Sequence, residues 1–304
     1  MTSVVNKKKK GTAIKLSTGD KIFNTINITL CSLIILIVAY PLYFILIASF
    51  SDPMSVMQGQ VYLFPKGIGF GAYVKILKYD SVLIGYRVSL ILVVVGTIIN
   101  FIMTLLGAYP LSRKDLWGRN AIMMILSFTM FFSGGLIPTY LVVKGLGLLN
   151  TIWAMILPTA ITLYNLIVMR TFFQSTIPDS LIEAAYIDGA SNMQVLFRVV
   201  LPLSSAIIAV ICLFYGVAHW NQYFEALIYV RKKELQPLQI ALREILLLSQ
   251  MTDVVESGDF EDQLLEGEQI KYSLIIVASV PALIAYPFIQ KHFVKGVMLG
   301  AIKA

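Results

Sequence analysis

This sequence offers few side chains that could perform catalysis. It contains two histidines, His219 and His292, and they lie far apart in the chain. Neither belongs to an H-E-x-x-H metal motif, and no nucleophile elbow is present. Because no Gly-Lys dipeptide occurs, a G-x-x-x-x-G-K-[ST] phosphate-binding loop is excluded. The sequence therefore predicts a chain that is not an enzyme and that holds no cofactor or metal of its own.

The most informative spacing lies in the stretch EAAYIDGASNMQVLFRVVLPLS, residues 183–204. Ser180 with Glu183 has the S-x-x-E spacing of a helix capping box, and Ser191 starts an S-x-x-Q version of the same spacing. Between them, Gly189 can adopt the left-handed conformation that ends a helix. The stretch is therefore predicted to form two short helices joined by a glycine turn.

The first of these helices is predicted to present a surface of small and apolar side chains, formed by Leu181, Ala184, Ala185 and Ile187. The backbone of another protein can pass closely over such a surface. Since the segment is too short to be a domain, we interpret it as a docking element for a partner. The simpler alternative is that Glu183 only caps its helix, and both roles can hold together.

The sequence around this segment is that of a membrane protein. Hydrophobic residues make up 58% of the 304 and charged residues 13%, with a mean hydropathy of +0.79, whereas soluble domains carry about 25% charged residues. Six apolar runs have about the 20 residues that a membrane span needs: 28–50, 84–110, 120–142, 152–172, 203–224 and 272–293. None has Asp or Glu in its interior. The predicted fold class is an all-α polytopic membrane protein with six transmembrane helices.

The distribution of lysine and arginine predicts the orientation. The net charge of +7 does not indicate nucleic-acid binding, because the cations gather between and outside the apolar runs. By the positive-inside rule, the cytoplasmic parts are the tail 1–27, the loop 111–119, the loop 173–202 and the C-terminus. The outside then receives 51–83, 143–151 and 225–271. The middle of this last loop, 252–268, is expected to be mobile.

A spaced motif runs through the predicted docking segment: E-A-A, three residues, Gly, nine residues, a β-branched residue, one residue, Leu-Pro. It resembles the EAA loop of the permease subunits of binding-protein-dependent ABC importers. Val199 is the one departure, since isoleucine is commoner there in the family. The resemblance implies that the residues coupling this chain to an ATPase are Glu183, Ala184, Ala185, Asp188, Gly189, Leu201 and Pro202.

The resemblance covers nearly the whole chain. HWNQYFEALIYV (219–230) and YPFIQKHFVKGVMLGAIKA (286–304) are similar to the carbohydrate branch of the family, to which the smaller maltose permease subunit belongs. AYPLSRKDLWGRN (108–120), FFSGGLIPTYLVV (131–143) and LQPLQIALREILL (235–247) are similar more narrowly to the LplC/YtcP group. That group is associated with complex oligosaccharides, so an oligosaccharide is the expected cargo.

The family implies an architecture and a set of partners. The expected fold is that of a type I ABC importer permease, with 28–304 as the transmembrane domain. The expected location is the plasma membrane of a bacterium, with both termini in the cytoplasm. The expected partners are a second homologous permease subunit, two ATPase subunits that bind ATP and Mg²⁺, an extracellular solute-binding protein and membrane lipid.

A proton- or ion-coupled secondary transporter is the alternative function. Such proteins carry ionisable residues at membrane depth, because a carboxylate or a histidine must relay the proton. The span interiors contain no Asp or Glu, and His219 lies towards the outer end of its span. These observations favour the importer subunit.

Residues for a sugar path can be proposed from chemistry alone, since aromatic faces contact sugar rings and amides bind hydroxyls. The candidates are Tyr164, Asn165, Trp220, Asn221 and Tyr223. The same residue types also form interfacial aromatic belts and interhelical hydrogen bonds, which is the alternative interpretation. Gly134 and Gly135 are interpreted as permitting close helix packing or a bend.

Overall fold

The computed structural model describes residues 17–252, 270–284 and 286–287, and every regular element in these ranges is helical. The predicted all-α class is thereby confirmed for the described residues. In chain order the helices are α1 (Thr18–Phe50), α2 (Pro53–Met57), α3 (Gly71–Ile76), α4 (Asp80–Ser112), α5 (Arg119–Phe131), α6 (Leu136–Gly145), α7 (Trp153–Thr159), α8 (Leu163–Thr176), α9 (Asp179–Ile187), α10 (Asn192–Leu203), α11 (Ser205–Trp220), α12 (Phe224–Tyr229), α13 (Leu238–Thr252) and α14 (Ile270–Ile284).

Two helices, α1 and α4, are long and apolar enough to cross a membrane alone. Each has 33 residues, which corresponds to about 50 Å at 1.5 Å per residue, more than the roughly 30 Å of a bilayer core. On α1 the buried residues are Ile47, Ala48 and Ser49. Most of its remaining surface is exposed and apolar, so this helix is built to face lipid or another subunit.

Three further apolar stretches are bent pairs of helices. The angles are 114° between α5 and α6, 51° between α7 and α8, and 85° between α10 and α11. If each pair forms one span, the described residues contain up to five spans by length and composition, and α14 is a shorter apolar helix besides. The predicted sixth span, 272–293, lies only in part within the described residues.

The sharpest bend falls at Gly134 and Gly135, the two glycines that were interpreted from the sequence as permitting either close helix packing or a bend. Gly135 has φ +82°, a left-handed conformation that side chains with a Cβ rarely adopt. Residues 132–135 are not helical, and α6 starts again at Leu136. The predicted span 120–142 is therefore two short helices rather than one rod.

The predicted outer loop 225–271 contains regular structure, since it includes α12 and α13. Leu238, at the start of α13, donates its backbone N–H to the Ser89 hydroxyl at 3.0 Å. A Cβ at Gly85 would lie 2.8 Å from the Leu238 Cα, so α13 lies against the backbone of α4. The stretch expected to be mobile, 252–268, lies outside the described residues apart from Thr252.

One hydrophobic cluster, which we call the inner core, joins α4, α8 and α11 to the two short helices α9 and α10. Its buried members include Leu105, Ala108, Leu166, Met169, Phe173, Ile182, Val195, Leu196, Val200, Ile211 and Tyr215. The docking segment is thus packed onto the membrane helices rather than suspended from them.

Candidate coupling segment and polar cavity

The docking segment is the helix pair α9 and α10 with the turn between them, residues 179–203. Helix α9 begins at Asp179, directly after Pro178. The predicted capping box of Ser180 and Glu183 is therefore wrong: the helix starts before Ser180, which already lies in its first turn. Proline fixes the backbone at φ −64° and so sets this earlier start.

The second predicted capping box is present. The Gln194 N–H donates to the Ser191 hydroxyl at 3.4 Å, and the Ser191 N–H donates to the Gln194 side-chain oxygen at 2.8 Å. Two of the donors at the start of α10 are satisfied in this way. The beginning of α10 is therefore fixed by its own sequence.

The turn between the two helices is a Schellman motif. Gly189 has φ +80°, as predicted for the residue that ends α9. Its N–H donates to the Tyr186 carbonyl at 3.0 Å, and the Ala190 N–H donates to the Ala185 carbonyl at 2.9 Å. These are the paired bonds by which such a turn closes a helix. The relative direction of α9 and α10 depends on this left-handed residue.

The inward face of the segment is anchored, whereas its tip is open. Ile182, Val195 and Leu196 are buried in the inner core. At the tip, Ile187 is 86% exposed and Met193 is 58% exposed. Exposed apolar side chains of this size at the end of an anchored element are typical of a protein–protein contact.

Five of the seven residues implied in coupling are exposed, and the other two, Ala185 and Leu201, pack against the inner core. Glu183, Ala184, Asp188, Gly189 and Pro202 are exposed, and Ala185 and Leu201 are partly buried. The Tyr186 hydroxyl donates to the Asn192 side-chain oxygen at 2.5 Å, which ties the two helices together across the turn. The surface is therefore presented by a stiff support.

Two contacts attach α9 to the loop that follows α4. The Lys114 ammonium lies 2.5 Å from the Asp179 carboxylate. The Arg113 guanidinium lies 5.7 Å from the centre of the Tyr186 ring, within the range of a cation–π contact. The hydrogen bond from Lys114 holds the pKa of Asp179 below its usual value. Because this carboxylate is exposed, the pair serves to orient α9 more than to stabilise the fold.

From α10 the chain continues into α11 through the 85° bend. Ser204 occupies the bend and is fully buried. Helix α11 then runs 16 residues, about 24 Å, to His219 and Trp220. Helix α10 is thus joined to the polar residues at the end of α11 by a single helix.

At that far end, His219 lies in a buried polar network. The Asn100 side-chain NH₂ lies 3.2 Å from His219 Nε2, and His219 Nδ1 lies 3.0 Å from the Gln222 side-chain oxygen. Because an amide NH₂ can only donate, Nε2 accepts and Nδ1 carries the proton in this arrangement. Gln222 also donates to the Met155 carbonyl at 2.6 Å. The network therefore joins α4, α7 and α11.

Tyr215, one turn before His219, makes a second set of bonds. Its hydroxyl lies 2.7 Å from the Thr104 hydroxyl and accepts from the Thr162 N–H at 3.0 Å. Tyr215 is 2% exposed and belongs to the inner core. It therefore connects the polar network to the apolar contacts beneath the docking segment.

Space for the histidine is provided by a glycine in α4. A Cβ at Gly96 would lie 2.4 Å from His219 Nε2, so no larger residue fits without moving the ring. Gly96 ends a π-helical turn, Leu92–Gly96. Single π turns inside α-helices are frequent at functional sites.

A cavity of about 300 Å³ opens beside this network. Its lining is polar and aromatic: Asn100, Thr159, Thr162, Tyr215, Ala218, His219, Asn221, Gln222, Tyr223, Phe224 and Glu225. We call it the polar cavity. Its amides, hydroxyls and rings can bind a neutral sugar through hydroxyl hydrogen bonds and ring contacts.

The structure brings two of the five predicted path residues together in this lining, Asn221 and Tyr223. Trp220 lies instead in a hydrophobic cluster, with its ring centre 6.0 Å from that of Tyr86. On α8, Tyr164 is exposed, whereas Asn165 is buried. Neither of these two lines the cavity.

Sequence reasoning missed Asn100, Thr162 and Tyr215 as cavity residues. Asn100 carried a usable signal, because an amide inside an apolar run is expensive in a membrane and is usually functional. Tyr215 and His219 also share one face of α11, because they lie four residues apart. Thr162 gave no such signal, because it is brought to the site by the bend between α7 and α8.

Comparison with known proteins identifies the family, although no protein-family model matches the chain. The protein LplC of Bacillus subtilis (strain 168) is 41% identical over 286 residues, which cover 94% of this chain and 96% of the relative. The polygalacturonan/rhamnogalacturonan transport system permease protein YtcP of the same organism is 43% identical over 270 residues, 88% of this chain and 93% of the relative.

A solved structure agrees with these relatives. A bacterial ABC transporter involved in the import of the acidic polysaccharide alginate contains a chain with 33% sequence identity and a TM-score of 0.84. The match covers 92% of this chain and 100% of that chain. The predicted importer-permease fold is thereby confirmed. The chain belongs to the family of carbohydrate ABC-importer permeases, the non-catalytic membrane subunits of these transporters.

Proposed function

We propose that this chain forms, with a second permease subunit, the path by which a bacterial importer carries an oligosaccharide across the plasma membrane. Two separate ATPase subunits bind ATP and Mg²⁺, and an extracellular binding protein delivers the sugar. The observation that carries the proposal is the anchored segment with an open apolar tip, 179–203, connected through α11 to the polar cavity. The family membership supports the partners.

The proposed mechanism is alternating access. When the ATPase subunits close on ATP, they push on α9, and the Schellman turn passes the movement to α10. Because α10 leads into α11, the movement reaches Tyr215 and His219. The bonds of these residues to α4 and to Thr162, at the start of α8, must then rearrange or move together with α11. This movement opens the cavity to one side of the membrane at a time.

In this mechanism each implied coupling residue has a physical role. Glu183 supplies a negative charge to the ATPase surface, and the exposed Ala184 lets the two backbones approach closely. Ala185 packs α9 against the inner core. Asp188 and Gly189 form the end of α9. Leu201 and Pro202 lie just before the bend, where proline removes a backbone donor and so weakens the helix at its hinge.

The cargo we propose is a complex oligosaccharide. Two similar proteins are named for polymeric sugars, polygalacturonan/rhamnogalacturonan for one and alginate for the other. Among the described residues, the lining of the polar cavity includes the carboxylate of Glu225 and no lysine or arginine. We therefore propose that this subunit binds hydroxyl groups, through Asn221 and Tyr223, and leaves any acidic group of the sugar to other parts of the importer.

The sugar path is tested by transport into vesicles that contain the complete importer and its binding protein. Asn221→Ala and Tyr223→Ala should lower the rate of uptake of the labelled oligosaccharide by about fivefold or more, since each removes a direct contact. Phe64→Ala is the matched control, because Phe64 is 77% exposed and lies outside the cavity. Equal uptake by all four proteins would reject the cavity as part of the path.

The orientation is tested by thiol labelling in intact cells, with Cys31 and Cys212 replaced by serine. A cysteine at Lys233 should react with a membrane-impermeant maleimide, and one at Trp117 should not, although both native side chains are exposed. The same two cysteines should both react after the membrane is permeabilised. The reverse pattern would overturn the orientation with a cytoplasmic docking segment.

A further inference from the structure

A second, smaller cavity of about 90 Å³ lies where the end of α4 meets the starts of α5 and α9. We call it the basic cavity. Its polar lining includes Tyr109, Ser112, Arg113, Lys114, Arg119 and Asp179. Three of these side chains are cations and one is a carboxylate. The cavity has room for a small anionic group such as a phosphate.

The polar groups around this cavity are incompletely satisfied. The Arg113 Nε is buried and lies 3.3 Å from the Asp115 carboxylate without making a hydrogen bond. The Tyr109 hydroxyl is also buried, and within the described part of the chain it lies near the Tyr186 side chain without making a geometrically formed hydrogen bond. Tyr109 as a whole is 8% exposed. Buried donors without acceptors cost free energy, and an anion in the cavity would supply the acceptor.

The Arg119 guanidinium provides further N–H donors beside the cavity. Its guanidinium donates to the Arg113 carbonyl at 3.1 Å, and within the described ranges no carboxylate forms an ion pair with it. Arg170 stands behind the cavity and donates to the Leu111 carbonyl at 2.8 Å. The positive-inside rule accounts for cations in such a loop. It does not account for their convergence on one cavity with a buried tyrosine hydroxyl and a buried arginine Nε.

The surroundings of the cavity indicate that the anion belongs to a lipid. In the loop beside it, Trp117 is 95% exposed, and tryptophan is enriched where a membrane protein meets the head groups. Helix α5 begins at Arg119 and exposes Met124, Ile125 and Phe128. An amphiphile with its anionic group at Arg119 can therefore lay its apolar part along α5.

We propose that the basic cavity binds the head-group phosphate of an anionic phospholipid of the inner leaflet. The phosphate accepts hydrogen bonds from Arg113, Arg119 and Tyr109, and the acyl chains lie against α5. Cationic pockets between helices at the cytoplasmic side suit such head groups. Arg113 also contacts Tyr186 on α9, so the lipid supports the attachment of the docking segment.

The experiment uses the complete importer purified in detergent and mixed with equal amounts of phosphatidylglycerol and phosphatidylcholine. Native mass spectrometry then counts the lipids bound to fully assembled complexes. Phosphatidylglycerol should be retained in preference to phosphatidylcholine. The double variant Arg113→Gln/Arg119→Gln should retain roughly tenfold less of it, because two charge-assisted hydrogen bonds are lost. Tyr109→Phe should show a smaller loss of about twofold to threefold, because one hydrogen bond from an uncharged donor is lost while both guanidinium charges remain.

Lys21→Gln is the matched control, since Lys21 is an exposed cation at the start of α1, away from the cavity. It should retain phosphatidylglycerol as the wild type does. Only assembled complexes are counted, and Arg119→Gln alone serves as a milder variant if the double variant assembles poorly.

Three results would overturn the proposal. The first is equal retention of phosphatidylglycerol by the wild type and by the Arg119 variants. The second is displacement of the lipid by inorganic phosphate at equal concentration, which would identify the ligand as free phosphate. The third is retention by the isolated permease pair and loss on addition of the ATPase subunits, which would show that the cavity receives a group from the ATPase.

Discussion

Gly96 and Gly189 stand at the two ends of the route between the polar cavity and the docking segment, and they are glycines for different reasons. At Gly96 the backbone is helical, but a Cβ would lie 2.4 Å from His219 Nε2. At Gly189 nothing lies within 4 Å of the position of a Cβ, but φ is +80°. The first glycine provides space and the second provides a backbone conformation.

This difference separates two kinds of region. At the cavity end, hydrogen bonds join Asn100, His219 and Gln222 in a buried network, so a change there disturbs packing. The docking end is open and is defined by the direction of two short helices, so a change there alters an angle. We therefore expect substitutions at the cavity end to lower stability and those at the docking end to lower coupling.

The largest effect is expected from Gly96→Ala. The added methyl must displace the His219 ring, which is held by Asn100 and Gln222, and overpacking of this kind costs about 1–3 kcal/mol. The assembled complex should unfold at a temperature several degrees lower and should transport little. The unfolding temperature is measured by heating the complex and monitoring the loss of its assembled form.

The control for that substitution is Gly216→Ala, also in the membrane region. A Cβ there would meet the Thr97 hydroxyl at 3.6 Å, an ordinary contact, and alanine favours a helix. Its unfolding temperature should match or exceed that of the wild type. Equal destabilisation by both substitutions would mean that contact with His219 is not the reason for glycine at position 96.

The next largest effect is expected from Glu183→Lys, which reverses the charge on the open face of α9. Glu183 is exposed, so the subunit should insert and remain as stable as the wild type. Binding of the ATPase subunits should weaken by about tenfold or more, as reversal of a charge at a protein–protein contact does. A pull-down of the ATPase measures binding, with Glu234→Lys as the control, because Glu234 is exposed and lies in the proposed outer loop. Unchanged ATPase binding and unchanged transport would reject the docking role of Glu183.

A smaller effect is expected from Gly189→Val. A side chain in the left-handed region costs roughly 1–2 kcal/mol, and more when it is β-branched. The strain should change the angle between α9 and α10 while the subunit stays inserted in the membrane. Transport should therefore fall several-fold, with little change in the unfolding temperature. Asparagine tolerates this region better, and Gly189→Asn should keep most of the activity. If the valine and asparagine variants transport equally, the left-handed turn is not needed for coupling.

The smallest effect is expected from Asp179→Asn, which removes the partner of Lys114. The pKa of Asp179 is lowered in the folded state from its usual 3.8 by the hydrogen bond from Lys114. The contribution of the pair is therefore complete above the usual pKa and is lost as the pH falls through the lowered one. The unfolding temperatures of variant and wild type should differ by a small, constant amount above about pH 5 and converge at lower pH. A difference that grows towards pH 8 would contradict this assignment.

The sequence predicted the docking segment well because its structure is local. The glycine turn at Gly189 and the capping box at Ser191 depend on residues a few positions apart, and both are present. The box at Ser180 was wrong because α9 begins at Asp179, directly after Pro178, so Ser180 lies in the first turn of the helix and not at its cap.

The polar cavity could not be predicted in the same way because its residues come from separate runs. Asn100, Thr162 and His219 meet only after the bend between α7 and α8 and the crossing of α4 with α11. Hydropathy located these runs but contains no information on their angles. Hydropathy also did not predict α13. The region that contains this helix was interpreted from its charges as an outer loop, and its helical pattern was not used.

The central claim is that the open tip of the segment 179–203 contacts an ATPase subunit, and site-specific photocrosslinking tests it most directly. Benzoylphenylalanine at Ile187, whose native side chain is 86% exposed, should crosslink to the ATPase in the assembled importer, and the yield should change when ATP binds. The same probe at Leu36, an exposed residue of α1, should give no ATPase product. Absence of the ATPase product at Ile187, in complexes that contain the ATPase and hydrolyse ATP, would contradict the claim.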